Sequence, residues 1–165
     1  MSSRWVVNTS PLILLERIDS LGILTALCEE LVVPKAVEDE LLSYEGDRYV
    51  WAGFFRSSTI VRPIEAPLEV PPDIAGWGLG RGESEVVAYA MAHAGFEAVL
   101  DDREARKCAA TFKIPLRGTV GIILLAKKKH VIPTARPLVE DLKRAGLRFH
   151  DDWIDRALRL VGEDT

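Results

Sequence analysis

Short apolar runs alternate with helix-like segments along this chain of 165 residues. The runs lie at residues 4–8, 31–33, 59–62, 96–100 and 115–117, and each is bounded by polar residues, proline or glycine. A strand that is buried on both faces reads as a continuous apolar run, so this alternation predicts a mainly parallel, five-stranded sheet with helices on both sides. The predicted fold is a single α/β domain of three α/β/α layers that spans residues 1–165.

Helix-like segments fill the intervals between these runs. The first begins at Ser10-Pro11, and the others are predicted at residues 21–28, 34–43, 48–56, 83–94, 102–112, 119–129, 138–145 and 153–161. Residues 63–82 interrupt the pattern, because four of the nine prolines and four glycines lie there. That composition predicts a loop or arm. Residues 134–165 are predicted to form a C-terminal helical extension.

Composition and charge exclude several classes of protein. The formal net charge is −4, from 25 acidic and 21 basic residues, which argues against a protein whose whole surface binds nucleic acid. No apolar stretch approaches the roughly 20 residues that cross a bilayer, and the N-terminus has no signal-peptide pattern. We therefore expect no membrane association and a cytoplasmic location. Cys28 and Cys108 are isolated in helix-like contexts, which predicts buried free thiols rather than a disulfide or a zinc site.

Two adjacent carboxylates, Asp101 and Asp102, follow the apolar run at residues 96–100. Ligands of open α/β sheets collect outside the carboxyl ends of the parallel strands, so acids at this place are candidates for chemistry. Either aspartate alone is also explained as the N-cap of the helix that follows. The functional interpretation therefore requires other acids to converge on the same edge of the sheet.

Three further segments carry polar or acidic groups that could meet this pair. Asn8-Thr9-Ser10 ends the first predicted strand, and Glu40 shares a helix face with apolar neighbours. Glu83 aligns with the apolar stripe of the 83–94 helix, which includes Met91, whereas Glu85 leaves that helix in nearly the opposite direction. A role at the positive end of the helix dipole explains either glutamate taken alone.

Acids that converge repel one another unless a cation lies between them. Carboxylate and amide oxygens suit the hard cations Mg²⁺ and Mn²⁺, and such a site supports hydrolysis of phosphodiester bonds. The pattern therefore predicts a metal-dependent nuclease. Arg103 and Arg106 lie just after the aspartate pair and are predicted to bind RNA phosphates.

Five stretches of the chain resemble the PIN-domain ribonuclease superfamily, and in particular its VapC-like toxin branch. They follow in the family's order and begin with Val6-Val7-Asn8-Thr9-Ser10-Pro11-Leu12 and Val33-Pro34-Lys35-Ala36-Val37-Glu38-Asp39-Glu40-Leu41. The remaining three are Leu79-Gly80-Arg81-Gly82-Glu83-Ser84-Glu85, Leu100-Asp101-Asp102-Arg103-Glu104-Ala105-Arg106 and Arg117-Gly118-Thr119-Val120-Gly121. Each stretch is modest alone, and the ordered set is fairly specific.

The resemblance implies an acidic metal site on a five-stranded α/β/α fold. By position, Asn8 takes the place of the family's usual first aspartate, and Glu40 matches the second acid. The third acid is Glu83 or Glu85, and the fourth is Asp101 or Asp102. Counting back from the strand favours Glu85 and Asp102, the helix face favours Glu83, and all remain candidate metal ligands. The catalytic set is then Asn8, Glu40, Glu85 and Asp102, with the hydroxyls of Ser10 and Thr119 near the metal.

The resemblance also implies an activity and partners. The expected protein is a Mg²⁺- or Mn²⁺-dependent endoribonuclease that acts on RNA as the toxin of a toxin–antitoxin pair. A cognate antitoxin would cover the acidic edge, and a homodimer is expected. Asn8 brings a neutral amide where most PIN domains carry a charge, which favours an alternative, a degenerate PIN fold that binds RNA or a protein partner without cleavage. A third interpretation, an interaction module, leaves the acids as helix caps and surface charges.

Overall fold

Five strands form one parallel sheet in the structure, a computed structural model that describes residues 3–44 and 47–164. The strands are β1 (Ser3–Val7), β2 (Cys28–Val33), β3 (Val61–Pro63), β4 (Phe96–Val99) and β5 (Leu116–Arg117). They lie in the order β3-β2-β1-β4-β5, and every neighbouring pair is parallel. The α/β fold with five strands is thereby confirmed, and the sheet is entirely rather than mainly parallel.

The central strand β1 shows that both faces of the sheet are covered. Trp5, Val6 and Val7 are each 0% exposed, although successive side chains of a strand point to opposite faces. Neighbouring strands supply the partners, with Val6 opposite Val32 of β2 and Ala98 of β4. This packing explains the continuous apolar run at the start of the sequence.

Helices connect the strands and cover them in the described part of the chain. They are α1 (Thr9–Arg17), α2 (Gly22–Leu27), α3 (Lys35–Ser43), α4 (Arg48–Arg56), α5 (Pro72–Ala75), α6 (Arg81–Ala92), α7 (Arg103–Thr111), α8 (Thr119–Lys128), α9 (Arg136–Arg144) and α10 (Asp151–Leu160). Helix α3 packs against α6, and α8 packs against α2 and α9. Within residues 3–44 and 47–164, no helix is both long and apolar enough to cross a membrane.

The proline-rich segment at residues 63–82 contains one helical turn, α5, which its composition did not indicate. Pro71 and Pro72 fix the backbone angle that the start of a helix requires, and the turn carries Ile74 into the core with 0% exposure. The segment is therefore attached to the domain through at least one buried side chain.

The prediction that Cys28 lies in a helix is wrong, because the chain leaves α2 at Leu27 and pairs Cys28 with Ser3 of β1. The thiols of Cys28 and Cys108 are free and buried, as predicted. Burial raises the pKa of Cys28 to about 12 and also raises the pKa of Cys108. Both thiols are therefore protonated at neutral pH and serve as small apolar core groups.

The C-terminal segment folds back onto the domain through a tight turn after α9. Gly146 has a φ of +111°, which side-chain-bearing residues rarely adopt. Its N–H donates to the carbonyl of Lys143, and the N–H of Leu147 donates to the carbonyl of Leu142, which together form a Schellman motif. This turn decides where the residues after position 146 meet the rest of the domain.

Candidate functional site

Two strand ends define the centre of the site. Asn8 follows β1 directly, and its N–H donates to the carbonyl of Val99 in β4 at 3.1 Å. Asp101 follows β4 after a single residue, Leu100. Because β1 and β4 are parallel neighbours, their carboxyl ends bring Asn8 and Asp101 to the same edge of the sheet.

The Asn8 side chain is buried beside an acid and keeps one atom without a partner. It is 2% exposed, and its Nδ2 donates to Oε1 of Glu83 at 3.3 Å. Within the described residues, its Oδ1 accepts no hydrogen bond although it is inaccessible to solvent. A buried carbonyl oxygen without a donor lowers the free energy of unfolding by about 1–3 kcal/mol. This oxygen is therefore a candidate to bind a cation or a hydrogen-bond donor of a ligand.

Glu40 approaches the same place from α3. Its Oε2 accepts a short hydrogen bond from the hydroxyl of Thr9, which is itself buried. Its Oε1 lies 2.9 Å from the position that a Cβ of residue 82 would occupy, and Asn8 Oδ1 lies 3.0 Å from that position. Gly82 in α6 thus leaves open the space that these two oxygens border.

Glu83 and Glu85 of α6 have different surroundings. Glu83 is half-buried and contacts the Asn8 amide. Glu85 is 1% exposed, and its two carboxylate oxygens accept hydrogen bonds from the main-chain N–H groups of Ala36, at 2.7 Å, and Leu68, at 2.9 Å. Glu85 therefore holds the first turn of α3 and the proline-rich segment to α6.

The two aspartates after β4 also differ. Asp101 accepts hydrogen bonds from both the N–H and the hydroxyl of Thr119, a residue with 0% exposure at the start of α8. Asp102 is exposed and caps α7, where its Oδ2 accepts the N–H of Ala105 at 2.9 Å. The N-cap role that the sequence allowed is therefore filled by Asp102, while Asp101 is oriented by Thr119.

A cleft of about 500 Å³ opens beside Glu83 and the two aspartates. We call it the acidic cleft, and its polar lining residues are Ser10, Arg17, Glu83, Asp101 and Asp102. The turn at residues 145–147 forms another wall, and Nη1 of Arg17 donates to the carbonyl of Ala145 at 3.3 Å. The C-terminal extension thus contributes directly to the shape of the site.

The two arginines predicted to bind phosphate occupy different positions. Arg103 is exposed in the first turn of α7. Arg106 is half-buried and donates from Nη1 to the carbonyl of Leu100 at 2.8 Å, which holds its guanidinium near Asp101. Both therefore lie close to the acidic edge, with Arg106 the more firmly oriented.

Sequence reasoning missed three contributors to the site. It singled out the hydroxyl of Ser10, whereas the adjacent Thr9 contacts Glu40. It placed Gly82 in the predicted loop or arm at residues 63–82, whereas Gly82 lies in α6 and borders the Asn8 and Glu40 oxygens. Arg17 gave no signal, because its position in the cleft depends on how the C-terminal turn folds back.

The donor set at the centre suits a hard divalent cation. In residues 3–44 and 47–164, no three Asp, Glu, His or Cys side chains form a group that could hold an ion by themselves. The central group instead combines one amide oxygen, from Asn8, with the carboxylates of Glu40 and Glu83. Amide and carboxylate oxygens are ligands that Mg²⁺ and Mn²⁺ accept, so these residues fit such an ion.

A family model, DUF3368, described as a PIN domain, matches residues 4–163. The match covers nearly the whole chain, so the chain belongs to this PIN-domain family. PIN domains are generally nucleases and typically use divalent metals. Comparison with curated proteins gives no significant match.

Replacing Glu85 by alanine is expected to lower the free energy of unfolding by about 2–5 kcal/mol, because two buried N–H groups lose their acceptor. Glu104→Ala, which removes an exposed carboxylate of α7, is the control and is expected to cost about 1 kcal/mol or less. Urea unfolding followed by circular dichroism measures both variants. Equal stabilities of the two variants would contradict the structural role of Glu85.

Proposed function

We propose that this PIN-domain protein is an endoribonuclease that depends on Mg²⁺ or Mn²⁺ and hydrolyses RNA phosphodiester bonds in the acidic cleft. The observation that carries the proposal is the buried Oδ1 of Asn8, which has no donor among the described residues and borders the same space as Glu40. A buried oxygen without a donor, next to carboxylates, lowers the stability of the folded domain. A cation that bound to this oxygen and to the carboxylate of Glu40 would remove that cost.

The residues that would hold the cation are Asn8, Glu40 and Glu83, and Asp101 lines the acidic cleft beside Glu83. The hydrogen bonds of Glu85 to two main-chain N–H groups favour Glu83 over Glu85 as the third acid. The contact of Asp101 with Thr119 favours an inward position for Asp101, whereas Asp102 lines the cleft from its position as a helix cap. These hydrogen bonds therefore favour Glu83 as the third acid and Asp101 as the fourth.

A bound divalent cation would supply a Lewis acid that stabilises charge on the phosphate and lowers the pKa of water. The residues of the chain prepare that chemistry by fixing the ligands before substrate arrives. Thr9 holds one oxygen of Glu40, which leaves the other toward Gly82, and Thr119 holds Asp101 by two donors. Such preorganisation means that little side-chain freedom is lost when the site is filled.

A catalytically degenerate PIN fold is the second candidate, and Asn8 is the observation that favours it. An amide contributes no negative charge, so the affinity of this site for a cation is lower than that of a site with aspartate at the same place. In that case the protein would bind RNA or a protein partner without cutting it. Cleavage and metal binding, measured separately, distinguish the two candidates.

Purified protein is expected to cleave structured RNA with Mn²⁺ or Mg²⁺ and not with EDTA. Glu40→Gln and Asp101→Asn are each expected to reduce the cleavage rate at least about 100-fold, since removal of mere supporting groups around a metal already costs 10–100-fold. Glu38→Gln, on the same helix as Glu40, is the matched control and should cleave like wild type. Gel analysis of end-labelled RNA gives the rates.

Two outcomes of this assay would contradict the proposal. Cleavage that survives both Glu40→Gln and Asp101→Asn would move the active site elsewhere. Saturable Mn²⁺ binding by the wild type, without any cleavage, would favour the degenerate fold instead.

We further propose that the protein is the toxin of a toxin–antitoxin pair in the cytoplasm. A cognate antitoxin would cover the acidic cleft, and the toxin would form a homodimer. The support is the ordered set of motifs in which the chain resembles the VapC-like branch. Induced expression is expected to arrest growth, and co-expression of the neighbouring reading frame should restore it. Light scattering measures the dimer. Normal growth on induction would contradict the toxin role.

A further inference from the structure

We propose that a second cleft, beside the acidic one, binds a nucleotide of single-stranded RNA next to the bond that is cut. The inference rests on the proposed nuclease function and names where its substrate lies. This cleft has a volume of about 400 Å³, and we call it the arginine groove. Its polar and aromatic lining residues are Asp101, Arg106, Arg117, Arg148, Phe149 and Trp153.

The arginine groove adjoins the acidic cleft. Asp101 and Leu147 line both of them, so an RNA strand bound in one cleft can extend past Asp101 to the other. The volume lies within the range of about 300–1,000 Å³ typical of small-molecule sites. One nucleotide unit can therefore occupy the groove while the adjoining phosphate lies among the acids.

The charge of the groove suits a polyanion, in contrast to the net charge of −4 of the whole chain. Three arginines line it, and Asp101 is the single acid among its described lining residues. Arg106 and Arg117 are already oriented, the first by the carbonyl of Leu100 at 2.8 Å and the second by Glu97 at 2.5 Å. Guanidinium groups that are held in this way bind phosphate with little further loss of freedom.

Aromatic side chains of the C-terminal segment complete the groove. The rings of Phe149 and Trp153 lie 6.5 Å apart, and Trp153 remains 46% exposed although it is among the largest apolar side chains. A base that stacks on an exposed aromatic ring gains affinity whatever its identity. Arginines beside an exposed tryptophan suit the phosphates and bases of single-stranded RNA, and the position of the groove next to the acidic cleft favours RNA over a protein partner.

The first test measures binding without metal, so that cleavage plays no part. The probe is a short, fluorescein-labelled single-stranded oligoribonucleotide in EDTA, followed by fluorescence anisotropy. Trp153→Ala is expected to weaken binding about 5- to 150-fold, the range that loss of one stacked base spans, whereas Trp153→Phe should retain most of the affinity. Arg148→Ala is expected to reduce the slope of log affinity against log salt by about 0.7, the loss of one phosphate contact.

Matched controls lie at the opposite edge of the sheet. Arg56 and Tyr49 are exposed on α4, which packs against β3, whereas the groove adjoins β5. Arg56→Ala and Tyr49→Ala should bind the oligoribonucleotide like wild type. Thermal unfolding checks that every variant is folded, which the exposure of Arg148 and Trp153 favours.

The second test separates this inference from the nuclease function itself. With Mn²⁺ present, Arg148→Ala and Trp153→Ala should raise KM while kcat changes little, because both residues contact a part of the substrate that does not react. The proposal that RNA binds in the arginine groove is overturned by either of two results. One is that the wild type does not bind the oligoribonucleotide, and the other is that both variants bind it as tightly as the wild type does. Wild-type protein that binds through Arg148 and Trp153 but never cleaves would overturn the nuclease proposal alone.

Discussion

Parallel pairing of β1 with β2 and β4 places the polar groups of three chain segments at one edge of the sheet. Asn8 follows β1 directly, Asp101 follows β4 after one residue, and Glu40 lies on the helix after β2. The core enforces this arrangement, because Val6 and Val7 are completely buried and β1 is paired on both sides, with β2 and with β4. The acids are thus brought together by apolar packing, against their mutual repulsion.

Neutral donors moderate that repulsion in the protein as it stands. Thr9 donates to Glu40, Thr119 donates to Asp101, and the Asn8 amide donates to Glu83. An aspartate at position 8 would add a charge there and would remove the donor to Glu83. Asparagine therefore lowers the repulsion among these acids, while its carbonyl oxygen stays available to the cation that we propose. On that proposal, the amide lowers the affinity for a cation and reduces the repulsion in the unliganded site.

The inner strands β1 and β4 could be predicted from sequence because most of their residues are buried, which leaves a continuous apolar run, whereas the edge strands β3 and β5 are only partly buried. The choice between Glu83 and Glu85 could not be made, since helical periodicity reports a face and not what covers it. Helix α6 is buried over most of its surface. Met91, which the predicted apolar stripe included, is nevertheless exposed, whereas Glu85 is enclosed. The groove at Arg148 was also beyond prediction, because it exists only once the turn at Gly146 carries the C-terminal segment to β5.

Calorimetric titration of Gly82→Ala with Mn²⁺ tests most directly whether Asn8 and Glu40 border a cation site at Gly82. The new methyl group would lie 2.9 Å from Glu40 Oε1 and 3.0 Å from Asn8 Oδ1, inside the proposed site. Gly53→Ala, on helix α4 with nothing within 4 Å of the added carbon, is the matched control. We expect Gly82→Ala to remain folded and to lose at least about tenfold in Mn²⁺ affinity, and Gly53→Ala to keep the affinity of the wild type. Equal Mn²⁺ affinity of the two variants would contradict a cation site at Gly82.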